Sequence, residues 1–149
     1  MAGLIVALCV LVAATVFALV RRRRDGVLRP AGGSGGTEGS VGVDSVDVVD
    51  VAVLGASAGE RATLLQFSSA FCAPCRAARR VLGEVAEMVD GVAHVEIDAE
   101  SHLDLVRRFN VVRTPTVLVL DSGGRVVRRA VGAPRKADVI AALGDAIPR

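Results

Sequence analysis

The strongest constraint on this chain is its first apolar run. Residues Ala2 to Val20 carry no charged side chain, and Arg21, Arg22, Arg23 and Arg24 follow at once. As a helix rising ~1.5 Å per residue, the run reaches about 28 Å, close to the ~30 Å of a hydrocarbon core. A single transmembrane helix over residues 1–20 is therefore expected, with the membrane contacted through residues 2–20. Two other readings compete. A buried soluble helix would need cover on all sides, which little downstream sequence supplies. A cleaved signal peptide places its positive charge before the apolar run, whereas here the Arg cluster lies after it. Val6-Ala7-Leu8 also lacks the small residue expected ahead of a lipoprotein cysteine, so Cys9 reads as a small lipid-facing residue. Positive residues that flank a span stay on the cytoplasmic side. The remainder is thus expected in the cytoplasm on a single-pass anchor, with an extracytoplasmic domain as the alternative.

Residues 21–42 read as a basic and Gly/Ser-rich linker. The stretch from Pro30 to Gly42 is too poor in apolar groups to order itself, and a flexible coil is expected. Residues 43–149 remain for one small domain. With four Phe and no Trp or Tyr, its core must be built from Val, Leu, Ile and Ala. The net charge of +2 is too small to argue for nucleic acid, and none is expected as a partner.

Period-two alternation predicts a half-buried strand over Val43–Leu54, and Gly55–Gly59 reads as a turn. Strands are predicted over Ala62–Phe67, Val92–Ile97, Thr116–Leu120 and Arg125–Val131, the last two joined by the turn Asp121-Ser122-Gly123-Gly124. Helices are predicted over Ala73–Val89, with Ala77, Val81, Val85 and Met88 on the buried face, over Ser101–Phe109 with Ser101 as cap, and over Lys136–Ile147. Strands that alternate with helices and then close in a hairpin give an α/β fold, a mixed central sheet flanked by helices, preceded by the membrane helix.

Phe71-Cys72-Ala73-Pro74-Cys75 falls where a strand ends and a helix begins. The two-residue spacing lets both sulfurs meet within the first helical turn. Unpaired amides and the positive end of the helix dipole favour the thiolate of Cys72, the nucleophilic form. Cys72 is expected to attack a substrate disulfide, and Cys75, one turn in, to resolve the mixed disulfide. Pro74 suits a helix start, where no backbone donor is needed. Arg76, Arg79 and Arg80 read first as solvated face residues, with Arg76 also close enough to stabilise the Cys72 thiolate. A metal site of Cys72, Cys75, His94 and His102 has the wrong histidine spacing. No metal and no cofactor are expected.

Over roughly Ala62 to Ile147 the sequence resembles the thioredoxin family. The resemblance rests on Cys-x-Pro-Cys at Cys72–Cys75, on the stretch Phe109-Asn110-Val111-Val112-Arg113-Thr114-Pro115-Thr116, on Asp121 to Gly124 and on Gly132. It implies a thioredoxin fold and a thiol–disulfide oxidoreductase whose redox-active disulfide is Cys72–Cys75, and with the expected membrane helix this reads as a membrane-tethered enzyme. It implies that the Thr114–Pro115 bond is cis, beside the dithiol, and that Thr114 presents its backbone to an extended substrate segment. Phe71, Pro74, Thr114 and Pro115 are then substrate-binding residues. The implied partners are protein disulfide substrates and a reductase or other thiol donor.

The sequence departs from the family pattern at four positions. Phe71 stands where the family has Trp. Gln66 replaces the buried Asp held to move the proton of the resolving thiol, and His94 replaces the Lys that accompanies it; the two are candidates for altered proton handling. Thr114 replaces a more apolar side chain and leaves an oxidising or isomerising role open. The rival from another class is a non-catalytic redox sensor or adaptor at the membrane.

Overall fold

The computed structural model describes residues 2–24, 26–30 and 48–148. The chain opens with helix α1 (Ala2–Arg24) and the short strand β1 (Arg29–Pro30). There follow β2 (Ala62–Ser68), α2 (Ala73–Met88), β3 (Val92–Asp98), α3 (Leu103–Arg108), β4 (Thr116–Asp121), β5 (Val126–Val131) and α4 (Lys136–Ala146).

The five strands form one mixed sheet in the order β1-β5-β4-β2-β3. Only β2 and β3 are parallel; the other neighbours are antiparallel. Its two faces follow from the period-two alternation of side chains along a strand. Ala62 and Leu64 of β2, with Val117 and Val119 of β4, pack on one face against Leu82 and Val85 of α2 and Val139, Ala142 and Leu143 of α4. Leu65, Phe67, Leu118 and Leu120 point the other way and meet Val95, Ile97 and Phe109. From Ala62 onward the strand, helix and hairpin order expected from periodicity is present.

Several local expectations are corrected. The buried stripe of α2 is Cys75, Ala78, Leu82 and Val85, whereas Ala77 and Met88 are exposed. The stripe is set by where the helix starts, and Cys72 caps it so that Cys75 turns inward. Helix α3 starts at Leu103 with His102 at its cap; Ser101 instead donates to the Asp98 carboxylate at 2.7 Å. Of the strand expected over Val43–Leu54, residues 43–47 lie outside the described set. Val48 makes only an isolated bridge to Arg125, and Val51–Leu54 is a 3-10 turn. Asp50 caps that turn by accepting from the Ala52 amide, and Gly55 closes it with φ +71°. Both caps favour a helical turn over an extended chain.

The linker expectation also changes. Arg29 and Pro30 pair with Arg129 and Arg128 of β5, and the Gly26 amide donates to the Val131 carbonyl at 2.7 Å. Leu28 packs partly buried against the core beneath. Residues 26–30 are thus an edge strap of the domain. Residues 31–47, where the Gly/Ser-rich coil is expected, lie outside the described set.

Every described side chain of α1 from Ile5 to Arg21 is exposed. Among the described residues no helix is long and apolar enough to cross a membrane.

Candidate active site

Strand β2 delivers the chain to the site through Ser68, Ser69, Ala70 and Phe71. Cys72 keeps an extended backbone (φ −99°, ψ 97°) and caps α2, with Pro74 in the first turn where its missing N–H costs nothing. The sulfurs of Cys72 and Cys75 are bonded, with 5.2 Å between their Cα atoms. The two halves of the pair differ in access. Cys75 is 2% exposed, while Cys72 is half-buried and Phe71 beside it is fully exposed. The Cys72 sulfur also accepts the Cys75 amide at 3.2 Å. One of the orphan donors of the helix N-terminus therefore already points at the atom that would carry a thiolate charge.

The Thr114–Pro115 peptide is cis. The loop that carries it is joined to the β2 exit, since the Ser69 and Thr114 hydroxyls lie 2.9 Å apart. Pro115 is buried, and its carbonyl accepts the Gly132 amide at 2.7 Å. Val112, two residues before Thr114, is exposed.

Beneath Cys75 lies a polar cluster in an otherwise apolar layer. Gln66 is fully buried. Its amide nitrogen donates to the Cys75 carbonyl at 3.0 Å and to the Ser68 hydroxyl at 2.8 Å, and its amide oxygen lies 3.1 Å from His94 Nε2. The Cys75 carbonyl only accepts, so the nitrogen of Gln66 must face it and the oxygen must face His94. His94 Nε2 is then the donor. In the neutral ring the lone pair sits on Nδ1, away from Gln66. Burial pushes the His94 pKa below its ordinary value; Glu96 opposes this and Arg79 adds to it. Neutral His94 at pH 7 fits its hydrogen bond to an amide oxygen.

The cluster closes through Glu96. Ser68 donates to its carboxylate, and Arg79 bonds it at 2.8 Å from the outer face of α2. Burial would raise the Glu96 pKa, but the hydrogen bonds from Arg79 and Ser68, with the charges of Arg79 and His94, hold it below the usual carboxylate range. No buried polar side-chain atom among the described residues lacks a partner.

The structure therefore gathers Phe71, Cys72, Pro74 and Cys75 at the tip of α2, Thr114 and Pro115 on the adjoining loop, and Gln66 with His94 under Cys75. His102 lies elsewhere, at the start of α3, with Nδ1 3.1 Å from the Asp98 carbonyl. Among the described residues no group of three or more His, Cys, Asp and Glu is placed to hold a metal ion. Sequence reasoning missed Ser68, Arg79 and Glu96. A signal was present: positions 66 and 68 share one face of β2, positions 94 and 96 the same face of β3, and all four are polar. The register Leu64↔His94 and Gln66↔Glu96 sets them side by side.

Comparison with known proteins agrees with this geometry. The family model for thioredoxin matches residues 52–145. A thioredoxin of Mycolicibacterium smegmatis is 37% identical over 98 residues, covering 64% of this chain and 84% of that protein. A bifunctional thioredoxin reductase/thioredoxin of Mycobacterium leprae is 35% identical over 86 residues, which is 57% of this chain but only 19% of that longer protein. The crystal structure of the thioredoxin NaTrxh from Nicotiana alata superposes with a TM-score of 0.53 at 26% identity, covering 60% of this chain and 76% of that one. The mixed five-stranded sheet flanked by helices is the thioredoxin fold. With its paired Cys72 and Cys75, the chain belongs to the thioredoxin family and is a protein-disulfide oxidoreductase.

Proposed function

We propose that this protein reduces or exchanges protein disulfides from a membrane anchor, with Cys72 as the attacking sulfur and Cys75 as the resolving one. The observation that carries the assignment is the asymmetry of the pair: Cys72 is reachable and receives a helix N-terminal amide, while Cys75 is 2% exposed. In the reduced protein the Cys72 thiolate attacks one sulfur of a substrate disulfide and displaces the other as a thiolate. The Cys75 thiolate then attacks Cys72, releases the second substrate thiolate and leaves the Cys72–Cys75 disulfide. Two electrons pass to the substrate, and an external thiol donor or reductase restores the dithiol. Phe71, Pro74 and Thr114 form the surface against which an extended substrate segment lies, with the buried Pro115 shaping the loop behind Thr114. Gln66 and His94 do not titrate against the sulfurs in this scheme. Gln66 holds the Cys75 carbonyl, and His94 holds Gln66.

The anchor is residues 2–20. That reading rests on the charge-free run, which taken from Ala2 reaches about 28 Å at ~1.5 Å per residue, close to the ~30 Å of a hydrocarbon core. The Arg cluster after it favours the cytoplasmic side for the domain. Resistance of the chain to alkaline extraction from membranes tests the anchor. Alkylation of the reduced chain in intact cells by a membrane-impermeant thiol reagent tests the side; labelling of Cys72 there would place the domain outside. Reduction of insulin disulfides by the full chain, lost in Cys72→Ser, tests the activity and separates turnover from a single sensing event. A potential near ~−270 mV would mark a reductant and one near ~−120 mV an oxidant.

A further inference from the structure

The edge strap fixes where the chain enters the domain. β5 runs toward the dithiol end of the sheet: its last residue, Val131, pairs with Thr116, which pairs in turn with Phe67 at the end of β2. The strap runs antiparallel to β5, so Gly26, bonded to the Val131 carbonyl, lies at that same end. Three strand spacings of ~4.8 Å, about 14 Å, separate it laterally from the row in which β2 ends and the dithiol loop begins.

Gly26 is locked there. It is buried with φ +81°, and a Cβ on it would lie 2.2 Å from the Ala133 carbonyl oxygen. Only Asp25 stands between it and the end of α1 at Arg24. Two Cα steps of ~3.8 Å therefore bound the distance between Gly26 and Arg24 at about 7.6 Å. The Gly/Ser-rich residues 31–47 lie beyond the strap, between Pro30 and Val48, both of which pair with β5 or the residue just before it. They do not lengthen the connection to α1.

We infer that the dithiol is held at the membrane surface and serves disulfides in the juxtamembrane segments of membrane proteins. This rests on the anchored-oxidoreductase reading above. A leash of residues 25–47 would have let the domain wander by an r.m.s. ~27 Å; the docked strap removes that freedom and turns the dithiol end toward the anchor. The exposed Phe71 and Val112 at this end give the partner an apolar contact.

The test is a single-turnover reduction by the pre-reduced full chain in vesicles of phosphatidylcholine and phosphatidylglycerol. Two lipid-anchored peptides carry the same disulfide, one directly after the anchor and one beyond a stiff helical spacer of about 40 residues, ~60 Å. The near disulfide is expected to react at least about tenfold faster, as confinement raises its effective concentration. Inserting a Gly/Ser linker of about 120 residues, r.m.s. ~60 Å, between Arg24 and Asp25 leaves the domain intact and should bring the two rates within about fivefold. Equal rates in the parent chain, or a preference that the insertion does not reduce, overturn the inference and leave the oxidoreductase standing. A chain that washes off the vesicles at alkaline pH, or one that fails to reduce soluble insulin, overturns the reading beneath it and the inference with it.

Discussion

Gln66→Leu removes the donor that holds the Cys75 carbonyl and the acceptor that holds His94, in a side chain that is fully buried. A buried polar group left without a partner costs about 1–3 kcal/mol. The Cys75 carbonyl keeps its place in the α2 hydrogen-bond ladder and loses only its second donor, so it bears part of the penalty. His94 is half-buried and also bears part of it, and Ser68 keeps Glu96 as its partner. The expected loss is about 1–3 kcal/mol. For a domain of this size each kcal/mol moves the melting midpoint by ~4–8 °C, so a fall of at least about 4 °C is expected. The chain has no Trp or Tyr, so the melt is best followed by far-UV circular dichroism on the full chain in micelles, where the two domain helices that flank the first core face report unfolding. A midpoint within about 2 °C of the parent would refute the claim that this amide organises the layer under Cys75.

Other outcomes follow from the same contacts. His94 has a folded pKa below its unfolded value of ~6.5, so the unfolded chain takes up that proton first. Stability from this group is full above pH ~6.5 and falls as pH drops toward the folded pKa; His94→Gln should flatten denaturant midpoints in that window. Glu96 is likewise depressed, so its contribution is present above pH ~4.3 and lost on further acidification, and Glu96→Gln should remove that second decline. Leu82→Ala, at a side chain with no exposure in the core between α2, α4 and the sheet, should cost about 2–5 kcal/mol by urea unfolding while insulin reduction persists below the transition. Gly26→Ala should detach the strap, read as faster amide hydrogen exchange across residues 26–30 with protection in β2 and β4 retained.

Much of this architecture was legible because the patterns are local. Alternation in β2 and β4 assigns Leu64 and Leu65 to opposite faces, and the Asp121–Gly124 turn announces its hairpin: the Asp121 carboxylate accepts the Gly123 and Arg125 amides. The cysteine pair was legible for the same reason, since its spacing and the strand–helix junction are both written within a few residues. Most of what failed depends on partners distant in the chain. Arg29 and Pro30 look like the start of a coil until β5 supplies an edge. Val51 is the local exception: alternating valines suggest a strand, but the neighbouring Asp50 and Gly55 cap a turn. Gln66 and His94 were singled out, but their roles could not be assigned without Glu96 and Arg79. Strand register sets Glu96 beside Gln66, and α2 brings Arg79 across the sheet.

The division of labour within the dithiol is the central claim, and trapping tests it most directly. Reduced Cys75→Ser and Cys72→Ser chains, each mixed with a disulfide-bonded substrate, can be quenched with acid and mapped by mass spectrometry. The account expects a lasting mixed disulfide through Cys72 in the Cys75→Ser chain and little adduct through the buried Cys75 in the other. Equal adduct on both sulfurs, or adduct through Cys75 alone, would contradict it.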